Sequence, residues 1–323
     1  DGKTLFLLLV SPAFNPTKSI LLRVDSATMQ TIGAPLELPV VPHNFLVYNK
    51  SHGFAHANLD LKLFPVLLDE WSVAPLINLP SIGAPYAVSL HYAASSSDSL
   101  FFIEALPSWS SFLRYDTKTG HWVGNYTQTS AMTYVFHPTT PSMFYVTQDD
   151  IAAGCELHRV DFSAGAPPIK TPSPAVPWPV AKTLKQSSCY SPTSLAVTSD
   201  GSSLVVGDSG KGHLFEKAIP RLGLVSLKSF TMSLPMTDTS KADASMELGS
   251  GTASDNFVYF SSVNVWQTKH SLVRAPLPLD AAQLQVMTLP TTQIAENSPN
   301  IVAGPDYAVF LNCNSACNIT KVQ

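Results

Sequence analysis

The sequence predicts an all-β fold: a β-propeller of seven blades of about 45 residues, with six longer blades also compatible with the length. Three observations carry this. No stretch sustains a 3.6-residue apolar period for more than about ten residues. Short apolar or alternating runs recur instead, separated by turn residues. One phrase returns along the 323 residues, about 45 residues apart early in the chain and further apart from 159 to 217 and from 217 to 274.

The phrase is Leu22-Arg23-Val24-Asp25, Leu113-Arg114-Tyr115-Asp116 and His158-Arg159-Val160-Asp161. Looser copies read Phe215-Glu216-Lys217-Ala218, Val273-Arg274-Ala275-Pro276 and Thr320-Lys321-Val322-Gln323, and a degraded one lies near Leu61-Lys62-Leu63. Arg114 and Arg159 stand 45 residues apart, and Arg23 precedes Arg114 by 91, two such intervals. An apolar run stands before each copy: LFLLLV, NFLVYN, SLFFIE, SMFYVT, SLVVGD, NFVYFS and YAVFLN. In SLAVTSDGSSLVVG (194–207) two runs flank Asp200-Gly201, a strong hairpin signal. After the phrase come a polar turn and a further run, as in TGHWVGNY (119–126) and LGLVSLKSF (222–230). Each unit is thus about four short antiparallel strands, the make-up of a propeller blade. The aspartates of the phrase are expected to form turns, because Asp accepts backbone hydrogen bonds two residues on. Residues 1–323 are read as a single propeller domain, or as a piece of a longer chain.

PTSLAVTSDGSSLVVGDSG and SFLRYDTKTGHWVG resemble the blade repeats of lactonase-like and related sugar- or surface-protein propellers. The resemblance covers nearly the whole chain and is architectural. It implies a propeller fold and, among its functions, secreted hydrolysis or surface binding. Tryptophan-Asp endings and Kelch double glycines are absent.

Only 13% of residues are charged and the net charge is −4, against about 25% charged in a typical soluble chain. No basic stripe is available to neutralise phosphates, so nucleic acid is not an expected partner. The apolar run Leu5–Val10 is far shorter than a membrane-spanning helix and reads as a buried strand. Asn49, Asn125 and Asn318 head N-x-[ST] sequons and are the expected glycosylation sites, whereas Pro16 blocks the one at Asn15. Cys155, Cys189, Cys313 and Cys317 allow three pairings; Cys313–Cys317 with Cys155–Cys189 is favoured, and buried free thiols are the alternative. Even cysteine parity, the sequons and scarce lysine point to a secreted or cell-surface location.

Catalytic signatures are thin. His52 and His56 form H-x3-H without the glutamate of a zinc-protease helix, and on a strand they stand about 13 Å apart. His91 and His137 follow inner strands and are better placed for a central channel than His158, on a third strand. Gly207-Asp208-Ser209-Gly210 is close to a serine-protease segment but lacks its final glycine, and a turn accounts for it. Gly249–Ser254 approaches a dinucleotide fingerprint but precedes a strand instead of opening a helix. Asp149-Asp150 lacks the calcium-loop series. Trp109 and Trp178, beside proline and serine, are the candidate exposed binding aromatics, and the proline-rich segment 171–179 is expected to be an extended connection. No catalytic residue, metal set or cofactor is assigned. The expected function is a noncatalytic extracellular module for structural assembly, adhesion or protein–protein interaction, with other proteins or copies of itself as partners. A secreted propeller hydrolase, lactonase-like or glycan-cleaving, and a glycan-binding propeller are the alternatives.

Overall fold

A computed structural model of the chain describes residues 3–10, 19–39, 41–42, 44–57, 61–80, 88–94, 98–106, 109–128, 131–147, 154–162, 176–177, 180–186, 192–208, 220–238, 246–264, 269–288, 301–304, 307–313 and 317–322. The chain divides into two compact units, residues 1–129 with 162–178, and residues 130–161 with 179–323.

Unit 1 holds three antiparallel sheets. The first runs β1 (Thr4–Val10), β2 (Ser19–Asp25), β3 (Leu36–Leu38). The second comprises β4 (Asn44–Val47), β5 (His52–Ala57), β6 (Lys62–Leu67), β7 (Ser72–Val73) and β8 (Ile77–Asn78), with β7 and β8 both pairing β6. The third is β9 (Val88–Ala94), β10 (Ser99–Leu106), β11 (Trp109–Asp116) and β12 (His121–Gln128). On its outer edge lies β16 (Val176–Pro177), parallel to Tyr126 and Thr127 of β12. Those two residues are the described part of the proline-rich segment. A parallel edge pairing suits Pro177, which has no N–H to offer a central ladder.

Unit 2 holds four sheets. They are β13 (Ala131–Phe136), β14 (Ser142–Thr147), β15 (Cys155–Asp161) and β17 (Val180–Gln186); β18 (Pro192–Val197), β19 (Ser203–Asp208), β20 (Arg221–Ser226) and β21 (Thr231–Asp238); β22 (Met246–Ala253), β23 (Phe257–Asn264), β24 (Lys269–Pro276) and β25 (Gln285–Thr288); and β26 (Ile301–Ala303), β27 (Ala308–Cys313) and β28 (Cys317–Val322). One turn of 3-10 helix, Ala281–Gln283, is the only helix among the described residues. None is long and apolar enough to cross a membrane. The chain is all-β, as its periodicities predict.

Most apolar runs before the phrase become second strands with sheet neighbours on both sides; LFLLLV, expected to be buried, is instead β1, a half-buried strand at the edge of its sheet. In β14 all six residues are buried, and in β19 five of six. Burial on both faces is why these segments read as continuous apolar runs. The third strand β20 is only partly buried, with Leu222, Gly223 and Val225 inside and the other three residues half-exposed. Neighbouring sheets pack face to face within each unit. Phe144, Val146 and Leu157 meet Leu195, Leu204 and Val225; Ala196 and Val205 meet Val258, Phe260 and Val273; and Leu63 and Phe54 meet Phe102, Leu113 and Trp122.

Three alignments shift. NFLVYN falls on β4, a first strand, so the second strand of that sheet is β5, which holds His52 and His56. The degraded copy at 61–63 lies at the start of β6. The equivalent of Val24-Asp25 there is Val66-Leu67, because the turn begins after Leu67 as it does after Asp25. The copy at 215–218 lies outside the described residues, and the third strand of that sheet is β20.

Candidate functional site

The repeated aspartate builds a turn. The Asp25 carboxylate accepts the N–H groups of Ala27 and Thr28 at 2.9 and 2.7 Å, and its carbonyl accepts that of Met29 at 2.8 Å. Asp116 does the same with Lys118, Thr119 and Gly120 at 2.9, 2.8 and 2.9 Å. The last residue has positive φ: 58° at Met29 and 72° at Gly120, and 53° and 55° at Trp71 and Phe230 in the matching turns after β6 and β20. Asp161 differs, accepting from Arg159 Nε at 2.7 Å.

A second set of turns joins first and second strands. In the β18–β19 loop, Asp200 accepts from Thr198 Oγ1 at 2.6 Å and from the Ser202 N–H at 2.9 Å. The Thr198 hydroxyl, followed by the Ser202 amide, holds the Asp200 carboxyl below its usual range. Two clefts flank this hairpin. One, of about 390 Å³, is lined by Thr198, Ser199, Asp200, Ser254 and Asp255 among others. Across it the Ser199 hydroxyl donates to the Asp255 carboxylate. The other, of about 490 Å³, is lined by residues including His137, Arg159, Ser202 and Lys228. Both mix hydroxyls and charged groups with apolar walls, Leu224, Leu277 and Pro278 in the first and Leu227 in the second. Ser199 and Asp255, 56 residues apart, carry no local motif that would reveal their meeting.

The histidines are engaged structurally. His137 Nδ1 accepts from the N–H groups of Thr139 and Thr140 at 3.2 and 3.1 Å. Nε2 stands 3.1 Å from the Gly201 carbonyl, so it carries the proton. His158 lies between the Thr147 and Thr183 hydroxyls at 2.9 and 3.0 Å and stacks on Tyr145 with centroids 4.6 Å apart. Burial, then the Glu156 charge, pushes the Tyr145 phenol up to about 12. Lys185, 2.7 Å from Glu156, holds that carboxyl down. His56 is fully buried and meets Phe102 edge-on at 5.0 Å. Among the described residues no three His, Cys, Asp or Glu side chains gather where a metal ion would bind.

Other motifs resolve into packing. A Cβ on Gly251 would stand 2.6 Å from Phe260 and 2.9 Å from the Leu195 carbonyl, so that glycine permits close sheet contact in β22. Asp208 ends β19 and is buried, while Ser209 lies outside the described residues.

Asn49 is exposed in the β4–β5 turn, its Oδ1 accepting the N–H groups of Ser51 and His52 at 2.9 and 2.8 Å. Asn125 lies on β12 opposite Leu113, and Asn318 on β28 opposite Asn312. Cys155 is buried and disulfide-bonded; Cys189 lies outside the described residues. Cys313 and Cys317 face each other at the end of the β27–β28 ladder. Trp109 opens β11 opposite Leu106, and Trp178 and Asp149-Asp150 lie outside the described residues. Beside Asn49, unit 1 contains a cavity of about 580 Å³ lined by Thr4, Phe6, Arg23, Val47, Asn49, Lys50, Leu68 and Asp69. Nothing in the local sequence marks it, because its walls come from four separate stretches.

No protein-family model matches the chain, and no curated protein matches its sequence. Solved structures do. The hydrazine synthase of Kuenenia stuttgartiensis is similar with a TM-score of 0.60 at 11% identity, over 98% of this chain and 94% of that one. The β-propeller domain of Cps50 (Swd1) from Myceliophteria thermophila is similar with a TM-score of 0.52 at 14% identity, over 100% and 94%. At such identities the likeness concerns the fold alone, and that fold, reached independently from the repeats and the sheets, is the β-propeller.

Proposed function

We propose that this propeller is a noncatalytic extracellular module for protein–protein association, secreted or displayed at the cell surface. The observation that carries the reading is the use made of its polar side chains. Asp25, Asp116, Asp200, His137 and His158 are all engaged in holding turns and strands. What the two clefts offer is a hydrogen-bonding surface, and a propeller fold by itself serves many functions. In this reading Asn49, Asn125 and Asn318 carry glycans, and disulfides join Cys155 to Cys189 and Cys313 to Cys317. Exposed Asn49 and disulfide-bonded Cys155 support an oxidising, glycosylating compartment. Trp109 and Trp178 are secondary contact candidates within it.

Secretion from a eukaryotic cell, followed by glycopeptide and non-reducing peptide mapping, tests the assignment. The expected result is a secreted protein occupied at the sequons and yielding both cross-linked peptides. A product retained inside the cell with free thiols and bare asparagines refutes it. A lactonase-like hydrolase is the second reading, favoured by the Ser199–Asp255 pair in the 390 Å³ cleft. Lactone hydrolysis that disappears in Ser199→Ala would establish it in place of the first; no turnover above buffer is expected.

A further inference from the structure

The cavity beside Asn49 is lined by Arg23, whose Nε has no hydrogen-bond partner among the described residues. Four strands, β2, β11, β15 and β24, place an arginine at the same position of the turn-forming phrase. In three of them Nε has an acceptor: Ser99 Oγ at 2.9 Å for Arg114, Asp161 at 2.7 Å for Arg159, and Gln285 Oε1 at 2.8 Å for Arg274. Arg23 is the exception. Its Nε is buried without a partner. Its guanidinium is fixed all the same, 4.3 Å over the Trp71 ring, with Nη2 so close to Gly33 that a Cβ there would stand 3.3 Å away. A guanidinium held rigidly at a cavity wall is a ready donor to an acceptor from outside the chain.

The other walls define the kind of group that fits. Phe6 and Val47 supply an apolar surface, and Val47 is 46% exposed, the largest exposure among the large hydrophobic residues described. Lys50 adds a donor and Asp69 an acceptor. An apolar patch ringed by donors and an acceptor matches a pyranose, which has one apolar face and a rim of hydroxyls. Asn49 itself lines this cavity, and its Oδ1 is held by Ser51 and His52.

We propose that the cavity is a cradle for the first N-acetylglucosamine linked to Asn49. The sugar's apolar face lies on Val47 and Phe6, its acetamido carbonyl accepts from the Arg23 guanidinium, and its hydroxyls meet Lys50 and Asp69. The inference rests on the reading of Asn49 as a glycosylated residue, and adds that the folded chain binds the glycan it carries.

Release of the glycan by peptide N-glycosidase F from the native, full-length secreted protein provides the test, followed site by site by mass spectrometry. A charge-assisted hydrogen bond of ordinary strength corresponds to roughly tenfold in accessibility. Release at Asn49 is therefore expected to be about ten times slower in the parent than in Arg23→Gln, and equal once both are denatured. Val47→Ser, at an exposed position, makes the same comparison should Arg23→Gln misfold. Equal native rates in the parent and the folded variants overturn the cradle. A secreted product glycosylated at Asn125 or Asn318 but bare at Asn49 also overturns it and leaves the secretion reading standing. A chain bare at all three sequons overturns both.

Discussion

One backbone position shows how far a residue's role depends on what surrounds it. Met29, Trp71, Gly120 and Phe230 all adopt positive φ in the turns after β2, β6, β11 and β20, yet only Gly120 is the residue type that conformation favours. A left-handed L-residue costs roughly 1–2 kcal/mol, partly offset on mutation to glycine by the entropy glycine loses on folding, about 0.5–1 kcal/mol. Met29→Gly is therefore expected to match or exceed the parent by up to about 1.5 kcal/mol in urea unfolding. Phe230→Gly relieves the same strain but empties a buried ring stacked on Phe144 at 6.3 Å, and it should lose about 3 kcal/mol or more. A loss at Met29 equal to that at Phe230 would refute the account. The aspartates of these turns were legible in the sequence because an Asx turn is local: donor and acceptor lie two or three residues apart. Trp71 and Phe230 were not, because bulky residues there are tolerated only through packing from distant strands.

Hairpins and strands were legible in type more than in register. SMFYVT and SLVVGD became second strands because burial on both faces removes alternation, whereas LFLLLV became β1, a half-buried strand at the edge of its sheet. HGFAHA escaped notice as a second strand, since its two histidines suggest a polar site while burial makes β5 a central strand. The Asp200-Gly201 hairpin carries a pH signature. Its carboxyl is held below the usual value by hydrogen bonds to the ionised form, so their stabilisation is present above the ordinary value of 3.8 and is lost as pH falls through the lowered one. Thermal midpoints of the parent and of Asp200→Asn should differ at pH 6 and converge below pH 3.8. A gap that stays constant through that window would mean the charge plays no part in the hairpin.

For the whole chain, composition is the informative quantity. With 13% charged residues and a net charge of −4, little long-range repulsion opposes self-association. A variant lacking all three sequons is expected to show concentration-dependent association in sedimentation velocity, largely unchanged between low and high salt because few charges contribute to it. Dissociation on adding salt would point instead to specific ion pairs. The propeller architecture was visible in the repeat interval, whereas the clefts were not: their walls join side chains more than fifty residues apart, such as Ser199 and Asp255. Successive first hairpins are also bonded to one another, each time with different chemistry. The Tyr48 phenol donates to the Asp98 carboxylate at 3.1 Å, the His137 imidazole faces the Gly201 carbonyl, and the Ser199 hydroxyl meets Asp255. Similar repeats are therefore not interchangeable parts. At these three junctions a chain with two repeats transposed would keep every strand pattern and lose the match, so repeat order is written there in side-chain chemistry as well as in covalent sequence.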